Sequence, residues 1–353
     1  MGHFTQNSEP FSLTVIVPNR NDAKYLRKCI ESVVTQDVPP DEFIILDDVS
    51  TDDSVEVIKT AIQGYPFARL VCNPRNLGDG GVGNANRGLS LGTGKFIYFL
   101  GANDFVLPGL FAKMKASLTQ NPDAGLWSGM VWLVDENGKY IRMHPSPVVS
   151  QLDRFFSAEE CRHMMMSIGN WLTGQTTVYR REALIEAGGF DASLKALNDL
   201  LAAHVVASRY GAVFSPRPLG VMRIHRGAFL VSTLSDSQLL ESILNDIEIR
   251  GPKVEPKLFT PNMLAKTRLR FYFASLRLSN GRTMDGIIPK SVWWRRTALR
   301  LVSVIPGSFG ALRTALYFLV MRPYDVLPTI WYRLIGSFIV LMRERLKGRI
   351  PQA

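Results

Sequence analysis

The chain has 353 residues, 46% of them hydrophobic and 20% charged, with 28 glycines and 20 prolines. This composition excludes a disordered tail, a coiled coil and a collagen-like chain, and the length suffices for one large domain or two modest ones. The net charge of +10 is uneven: residues 251–353 hold 18 Lys/Arg against 4 Asp/Glu, whereas the first 250 hold 23 against 27.

Cys29, Cys72 and Cys161 lie too far apart for a disulfide framework or a zinc knuckle and point to a reducing compartment. The first residues lack the basic-then-apolar pattern of a secretory signal. An acidic-to-neutral body followed by a basic tail predicts two physical jobs. Nucleic acid, a membrane surface or an acidic partner could each attract the tail.

In chain order, Leu13-Thr14-Val15-Ile16-Val17 is a short apolar run ended by Pro18, the mark of a buried parallel strand. Tyr25, Leu26, Cys29, Ile30, Val33 and Val34 fall on one helical face. Phe43-Ile44-Ile45-Leu46 reads as a second strand, ending abruptly in Asp47-Asp48, and Asp52, Asp53 and Ser54 open another helix. A third strand is predicted near Ala68–Cys72, a helix around Asn84–Leu91 and a fourth strand over Phe96–Leu100. This alternation implies an open parallel sheet flanked by helices, with ligands at the carboxyl ends of its strands. The polar clusters after Val17, Leu46 and Leu100 all fall there.

Beyond residue 120 the pattern changes. Trp127–Asp135 and Tyr140–Met143 flank Glu136-Asn137-Gly138, and Asn-Gly is a hairpin signal. Gln175–Tyr179 reads as a strand, Ala183–Ala187 as a short helix ended by Gly188-Gly189, and Asn198–Arg209 as a helix closed by Gly211. His163 with Met164, Met165 and Met166 reads as core or as a lid. Gly251-Pro252 and Pro256 mark a boundary between a body, residues 1–250, and a basic helical extension, residues 251–353.

Three clusters carry chemistry. Asp47 and Asp48 can accept from the N–H of a base and the hydroxyls of a ribose, and two adjacent carboxylates otherwise repel at a cost. Ser50, Asp52 and Asp53 also read as helix caps. Asn76-Leu77-Gly78 with Gly83-Asn84-Ala85-Asn86-Arg87-Gly88 forms a glycine-rich turn into a helix, which can present N–H groups to phosphate. Asn103 and Asp104 reach the same sheet edge, where oxygen ligands suit Mg²⁺ or Mn²⁺ bridging a diphosphate.

Together these resemble the inverting, nucleotide-sugar-dependent glycosyltransferases of family 2, over residues 12–232. The resemblance lies in Val15-Ile16-Val17-Pro18-Asn19-Arg20-Asn21, the Asp-Asp-x-Ser-x-Asp block at 47–52, Asn76-Leu77-Gly78, Asn86-x-Gly88 and Gly94–Leu100. It continues in Gly188-Gly189-Phe190-Asp191, Asn198-Asp199 and Arg223-x-His225. It implies a GT-A-like α/β fold with an open, mostly parallel sheet. By position it implies that Pro18, Asn19, Asn21, Asp47, Asp48, Asn86 and Arg87 bind the donor nucleotide. Asn103, Asp104, Arg223 and His225 then fall near the diphosphate or metal, and Asp199 at the general base. Asn198-Asp199 equally reads as a helix cap. The sequence departs from the family at Gly101 and Asn103, where acids are usual, and at Ala85, where an Arg is frequent. Mg²⁺ or Mn²⁺ affinity is therefore expected to be weak, and a degenerate binder of a nucleotide sugar or partner, without turnover, is the rival reading.

In the tail, Trp331, Leu334, Ile335, Phe338, Ile339, Met342 and Leu346 form an apolar stripe at helical spacing, with Arg333, Arg343, Arg345, Lys347 and Arg349 off it or beyond its end. Trp293-Trp294-Arg295-Arg296 joins indoles to guanidiniums. No uncharged apolar run reaches the roughly 18–20 residues that span a bilayer. The expectation is peripheral attachment to an anionic inner membrane face from the cytoplasm, with a lipid-linked glycan as acceptor and no nucleic acid partner. Simple packing of the tail on the body, with its basic residues solvated, is the other reading.

Overall fold

The computed structural model describes residues 10–78, 80–144, 147–224, 229–278, 297–298, 301–302, 310–322 and 326–349. The strands in chain order are β1 (Leu13–Asn19), β2 (Glu42–Asp47), β3 (Ala68–Cys72), β4 (Phe96–Phe99), β5 (Phe105–Val106), β6 (Leu126–Val134), β7 (Tyr140–Met143), β8 (Arg154–Phe156), β9 (Val178–Arg180) and β10 (Ala212–Arg223). They build one sheet in the order β3-β2-β1-β4-β9-β6-β10-β5, with β7 on β6 and β8 on β10. β3, β2, β1 and β4 are parallel to their neighbours in that order, and so are β6 and β10. β9 is inserted antiparallel between β4 and β6.

Alternating side chains divide the core into two layers. Val15, Val17, Phe43 and Ile45 face one side, where α1 (Ala23–Val34), α2 (Ser54–Ala61) and, further on, α4 (Leu110–Gln120) cover them. α1 buries Leu26, Cys29, Ile30, Val33 and Val34, the spacing of one helical face. Each such side chain contributes roughly 1.5–3 kcal/mol by leaving water. Ile16, Ile44 and Leu46 face the other side, against α3 (Val82–Leu91). That helix comes very close to β1: a Cβ on Gly88 would stand 2.6 Å from Ile16 Cγ2. Glycine at 88 therefore sets how far α3, with Asn84, Asn86 and Arg87, leans over the strand ends.

The second layer continues with α5 (Ala158–Ile168), α6 (Arg181–Glu186), α7 (Asn198–Tyr210), α8 (Phe229–Ser235), α9 (Ser237–Val254) and α10 (Pro261–Leu278). α5 starts in a capping box between Ser157 and Glu160, and its Met165 is buried in the core. α9 runs through Gly251-Pro252, and the chain turns only at Glu255. Gly251 is needed there because the Phe259 ring lies on it, 2.7 Å from where a Cβ would stand. Arg209 in α7 clamps that turn through Glu255 Oε2 at 2.8 Å and the Val254 carbonyl at 2.6 Å. Arg268 in α10 bonds Glu241 at 2.7 Å and Glu248 at 2.8 Å in α9.

Further on lie α11 (Gly310–Met321), a π-helical turn over Thr329–Ile335 and α12 (Gly336–Leu346). Trp293–Arg296 lie outside the described residues. Among the described residues no helix is long and apolar enough to cross a membrane.

Candidate active site

The strand order reverses at β1, with β2 and β3 to one side and β4 to the other. Such a switch point is where open α/β sheets bind ligands. Asn19 and Asp47 are register partners at the carboxyl ends of β1 and β2. Asn19 Nδ2 donates to Asp47 Oδ1 at 2.8 Å, and Ser50 donates to the same carboxylate from its N–H at 3.0 Å and its hydroxyl at 2.5 Å. Asp48 turns the other way, accepting from Asn73 Nδ2 at 2.7 Å, Asn76 Nδ2 at 3.0 Å and the Leu77 N–H at 3.0 Å. The two carboxylates thus escape mutual repulsion by collecting separate donors. Asn21 bridges to the same loop: its Oδ1 accepts from the Thr51 N–H at 2.7 Å and its N–H donates to Ser50 Oγ at 3.0 Å.

Asn21 and Val49 both hold φ of 58°. That is the left-handed region, unusual for a β-branched residue. Val49 is also 41% exposed, so the loop presents an apolar side chain beside two buried acids. Asn19 Oδ1 is buried and has no hydrogen-bond partner, leaving an acceptor at the strand end. Pro18, opposite Leu46, forms the floor beside Gly81.

Behind this loop runs a buried polar chain. Asn73 Nδ2 also donates to Asn84 Oδ1 at 2.6 Å, and Arg87 donates to Asn73 Oδ1. Sequence reading gave Asn73, Asn84 and Ser50 no ligand-site role. The available signal was Asn84 itself, a poor helix former on a buried helix face. Asn86 departs from the nucleotide cluster. Its Nδ2 donates to the Phe190 carbonyl at 2.7 Å and its Oδ1 accepts from the Phe190 N–H at 2.9 Å. The amide is consumed in fastening the Gly188-Gly189-Phe190-Asp191 loop to α3. Asp191 then caps the following turn through the Ser193 N–H and pairs with Arg250. The family motif acts here on the approach to Asp199.

After β4, Asp104 is 8% exposed. Its Oδ1 accepts from the Arg223 N–H at 2.8 Å. Burial pushes its pKa up to about 7, against the pull of Arg223. The Arg223 guanidinium donates to the Asn103 carbonyl at 3.0 Å, caps the β6–β7 hairpin at the Asp135 and Glu136 carbonyls, and lies 4.6 Å from the Tyr25 ring centroid. His225 lies outside the described residues.

Asn103 Oδ1 and Asp104 Oδ2 converge on the space beside Gly101, 3.2 and 3.1 Å from where a Cβ would stand. A hard divalent cation takes such oxygens. Two are too few for its shell of about six ligands. No cluster of three His, Cys, Asp or Glu able to hold an ion occurs among the described residues. The pair therefore fits Mg²⁺ or Mn²⁺ only when a ligand such as a diphosphate brings further oxygens.

Asp199 stands in the first turn of α7, half-buried, with Oδ1 accepting from the Leu200 N–H at 2.7 Å. Burial raises its pKa above the ordinary carboxylate value. Its other oxygen faces Gly174. The next residue, Gln175, donates toward the Phe105 carbonyl at 3.4 Å and the Val221 carbonyl at 3.3 Å, and accepts from Tyr98 OH at 2.7 Å on its own carbonyl. Residues 174–175 thus link Asp199 to the strand ends that carry Asp104 and Arg223. Sequence reading assigned this turn to a strand; residues Gly174–Thr176 are a 3₁₀ turn, and β9 begins at Val178.

Comparison with known proteins bears on the family and the fold. An uncharacterized glycosyltransferase, YibD of Escherichia coli, is 29% identical over 175 residues, covering 49% of this chain and 50% of that protein. The GalNAc(5)-diNAcBac-PP-undecaprenol beta-1,3-glucosyltransferase of Campylobacter jejuni is 34% identical over 102 residues, 29% of this chain and 33% of that one. The chain spans about half the length of curated relatives such as YibD. The crystal structure of S. aureus TarS 1-349 in complex with UDP-GlcNAc superposes with a TM-score of 0.60 at 16% identity, covering 97% of this chain and 93% of that one. The mannosyltransferase PcManGT of Pyrobaculum calidifontis, in complex with GDP-Man and Mn²⁺, gives a TM-score of 0.54 at 17% identity, covering 90% and 88%. These likenesses establish a GT-A-like fold. Residues 14–188 match the Glycosyl transferase family 2 model. That segment, which carries the whole Asp47–Asp48 platform and Asn103 and Asp104, is a glycosyl transferase family 2 domain.

Proposed function

We propose that this protein is a nucleotide-sugar glycosyltransferase that moves one sugar, with inversion, to a lipid-linked glycan at the cytoplasmic face of a membrane. The observation that carries the reading is Asp199: one carboxylate with a raised pKa, held against Gly174 and linked through Gln175 to the Asp104–Arg223 end of the sheet. An inverting transfer needs one base to take the acceptor hydroxyl proton as oxygen attacks the anomeric carbon. A pKa above the ordinary carboxylate range suits that task, because proton transfer is best driven near the working pH.

On the donor side, Asp47, Asp48, Asn19 and Asn21 hold the nucleoside, and Asn19 Oδ1 is an acceptor left without a partner at that strand end. Pro18 floors that pocket, and Arg87 supports it through Asn73. Asn103 and Asp104 hold Mg²⁺ or Mn²⁺ together with the diphosphate, and the ion supplies positive charge to the leaving group when bound. Arg223 fixes both residues through its backbone N–H and its guanidinium. The undecaprenol-linked acceptor named for the Campylobacter relative, and the basic tail, support a lipid-linked acceptor and a peripheral membrane location.

The test is transfer and donor hydrolysis by the wild type and by Asp199→Asn across a panel of nucleotide sugars. Asn keeps an oxygen for the Leu200 N–H, so donor affinity and melting temperature stay near wild type. Turnover falls on the order of 10²-fold or more, the contribution of a positioned base. A variant as fast as wild type removes Asp199 from the chemistry. A wild type that binds donor and never turns over favours the binder without activity, the reading motivated by Gly101 and Asn103.

A further inference from the structure

The end of the chain turns its apolar side outward. Leu327 is 77% exposed, Trp331 64%, Leu334 63%, Phe338 62% and Leu346 84%. All but Leu327 belong to the sequence stripe, and they are not what α12 packs with. The helix seats on the body by its other edge. Gly336 lies against Val148, Val340 is fully buried, and Arg343 donates to the Gln151 carbonyl at 3.1 Å and the Pro216 carbonyl at 2.9 Å. The Val148 N–H donates to the Tyr332 carbonyl at 2.8 Å, which fastens the π-helical turn as well. The apolar face therefore points away from the edge by which the helix packs.

Charge selects the occupant. Residues 327–349 contain five Lys/Arg and one acid, Glu344. Glu344 is 4% exposed, turned inward beside Arg343 at 3.3 Å, while Arg345, Lys347 and Arg349 are exposed. An incoming surface meets apolar side chains and positive charge, with no carboxylate among them. A second copy of this chain, docked about a two-fold axis through this face, would bring a second set of basic residues to the interface with no exposed carboxylate in residues 327–349 to offset them. An anionic lipid surface accepts both parts of the pattern: side chains such as Trp, Phe and Leu enter the headgroup–acyl boundary while basic residues meet lipid charge.

We propose that the outward face of residues 327–346 docks on an anionic bilayer surface, with the packed edge of α12 fixing how the catalytic body sits on it. This deepens the peripheral-membrane reading above and rests on it for its purpose, bringing the body to a lipid-held acceptor.

The experiment is co-sedimentation of the full chain with vesicles of phosphatidylcholine alone and of phosphatidylcholine with phosphatidylglycerol. Two double variants are compared, Trp331→Glu with Phe338→Glu, and Arg345→Glu with Lys347→Glu, all at exposed positions. The wild type binds the anionic vesicles and is released by high salt. Each variant loses affinity by about tenfold or more at unchanged melting temperature, since the packed edge is untouched. Equal binding to both vesicle types, no vesicle binding, or full binding by both variants overturns the proposal. So does a Trp331/Phe338 variant that turns a dimer into a monomer by light scattering. Vesicle binding needs no turnover, so the two readings fail separately: a chain that sediments but never transfers sugar leaves the surface standing, and one that transfers to a soluble acceptor yet ignores vesicles removes it.

Discussion

The α-carbon of Gly174 lies against the carboxylate of Asp199, so close that a methyl group at 174 would overlap Oδ2. Gly174 belongs to the 3₁₀ turn before β9, and Asp199 to the first turn of α7. Neither element alone places the acid; the contact between them does.

Gly174→Ala is therefore expected to displace the Asp199 carboxylate while leaving Asp47 and Asp48 alone. Misplacing a catalytic group by about 1 Å can cost on the order of 10²-fold in rate. The expected result is a fall of that order in kcat with nucleotide affinity little changed. Steady-state kinetics beside a binding isotherm checks it, and an undiminished kcat would mean that the carboxylate has room to move aside.

Asp48→Ala removes one acceptor from each of Asn73 Nδ2, Asn76 Nδ2 and the Leu77 N–H at once. Asn73 keeps its bond to Asn84, and Asn76 and Leu77 are exposed and can turn to water, so the cost is nearer the net value of about 1 kcal/mol for each lost bond. Melting temperature should drop, cleavage near residues 74–81 should appear in limited proteolysis, and donor affinity should fall. The internal bonds of Asp48 add a loss of stability to the nucleotide effect expected from its position. Unchanged donor affinity would leave Asp48 with a purely structural role.

Divalent binding should be weak without nucleotide and should strengthen when a nucleoside diphosphate is present, because Asn103 and Asp104 supply two oxygens only. It should also strengthen as pH rises through about 7, where Asp104 gains its charge. Titration calorimetry with Mn²⁺ at two pH values checks both. Tight binding to the nucleotide-free protein would reveal a ligand outside this pair.

Acid should destabilise the fold through His204. It is 5% exposed, and burial pushes its pKa down to about 4. The unfolded chain takes the proton near 6.5, so the stabilising difference is complete above that value and is lost as pH falls toward 4, by roughly 3 kcal/mol. Burial also holds His144 down to about 4. Melting temperature should fall steeply over that window, and His204→Gln, which can still donate to Asn170, should flatten the fall. A variant as acid-sensitive as wild type would place the loss elsewhere.

The parallel part of the sheet was legible because each strand from β1 to β4 is a short apolar run with polar residues at its carboxyl end. The hairpin at Asn137-Gly138 was legible from turn chemistry, with Gly138 at φ of 87°. The two-residue β5 and three-residue β8 were not, because edge strands this short leave no periodicity. Gly251-Pro252 looked like a boundary, yet the glycine makes room for Phe259 inside α9. Asp47, Asp48 and Asp104 reached the expected sheet edge. The bond from Asn86 to Phe190 was not legible, because that partner is 104 residues away and no local pattern announces it. The same holds for Gly174, whose importance exists only once Asp199 stands beside it.

The loop carrying Val49 has one further consequence, for the timing of donor binding. Its left-handed valine follows two carboxylates that are both held by donors from within the protein, Asp47 by Ser50 and Asp48 by Asn73, Asn76 and Leu77. The ordering entropy of that segment is spent during folding, so a nucleotide meets a receptor already shaped. If a nucleotide binds at this loop, its association is expected to need no slow rearrangement of the segment, and differences between nucleotides are expected in how long each one stays.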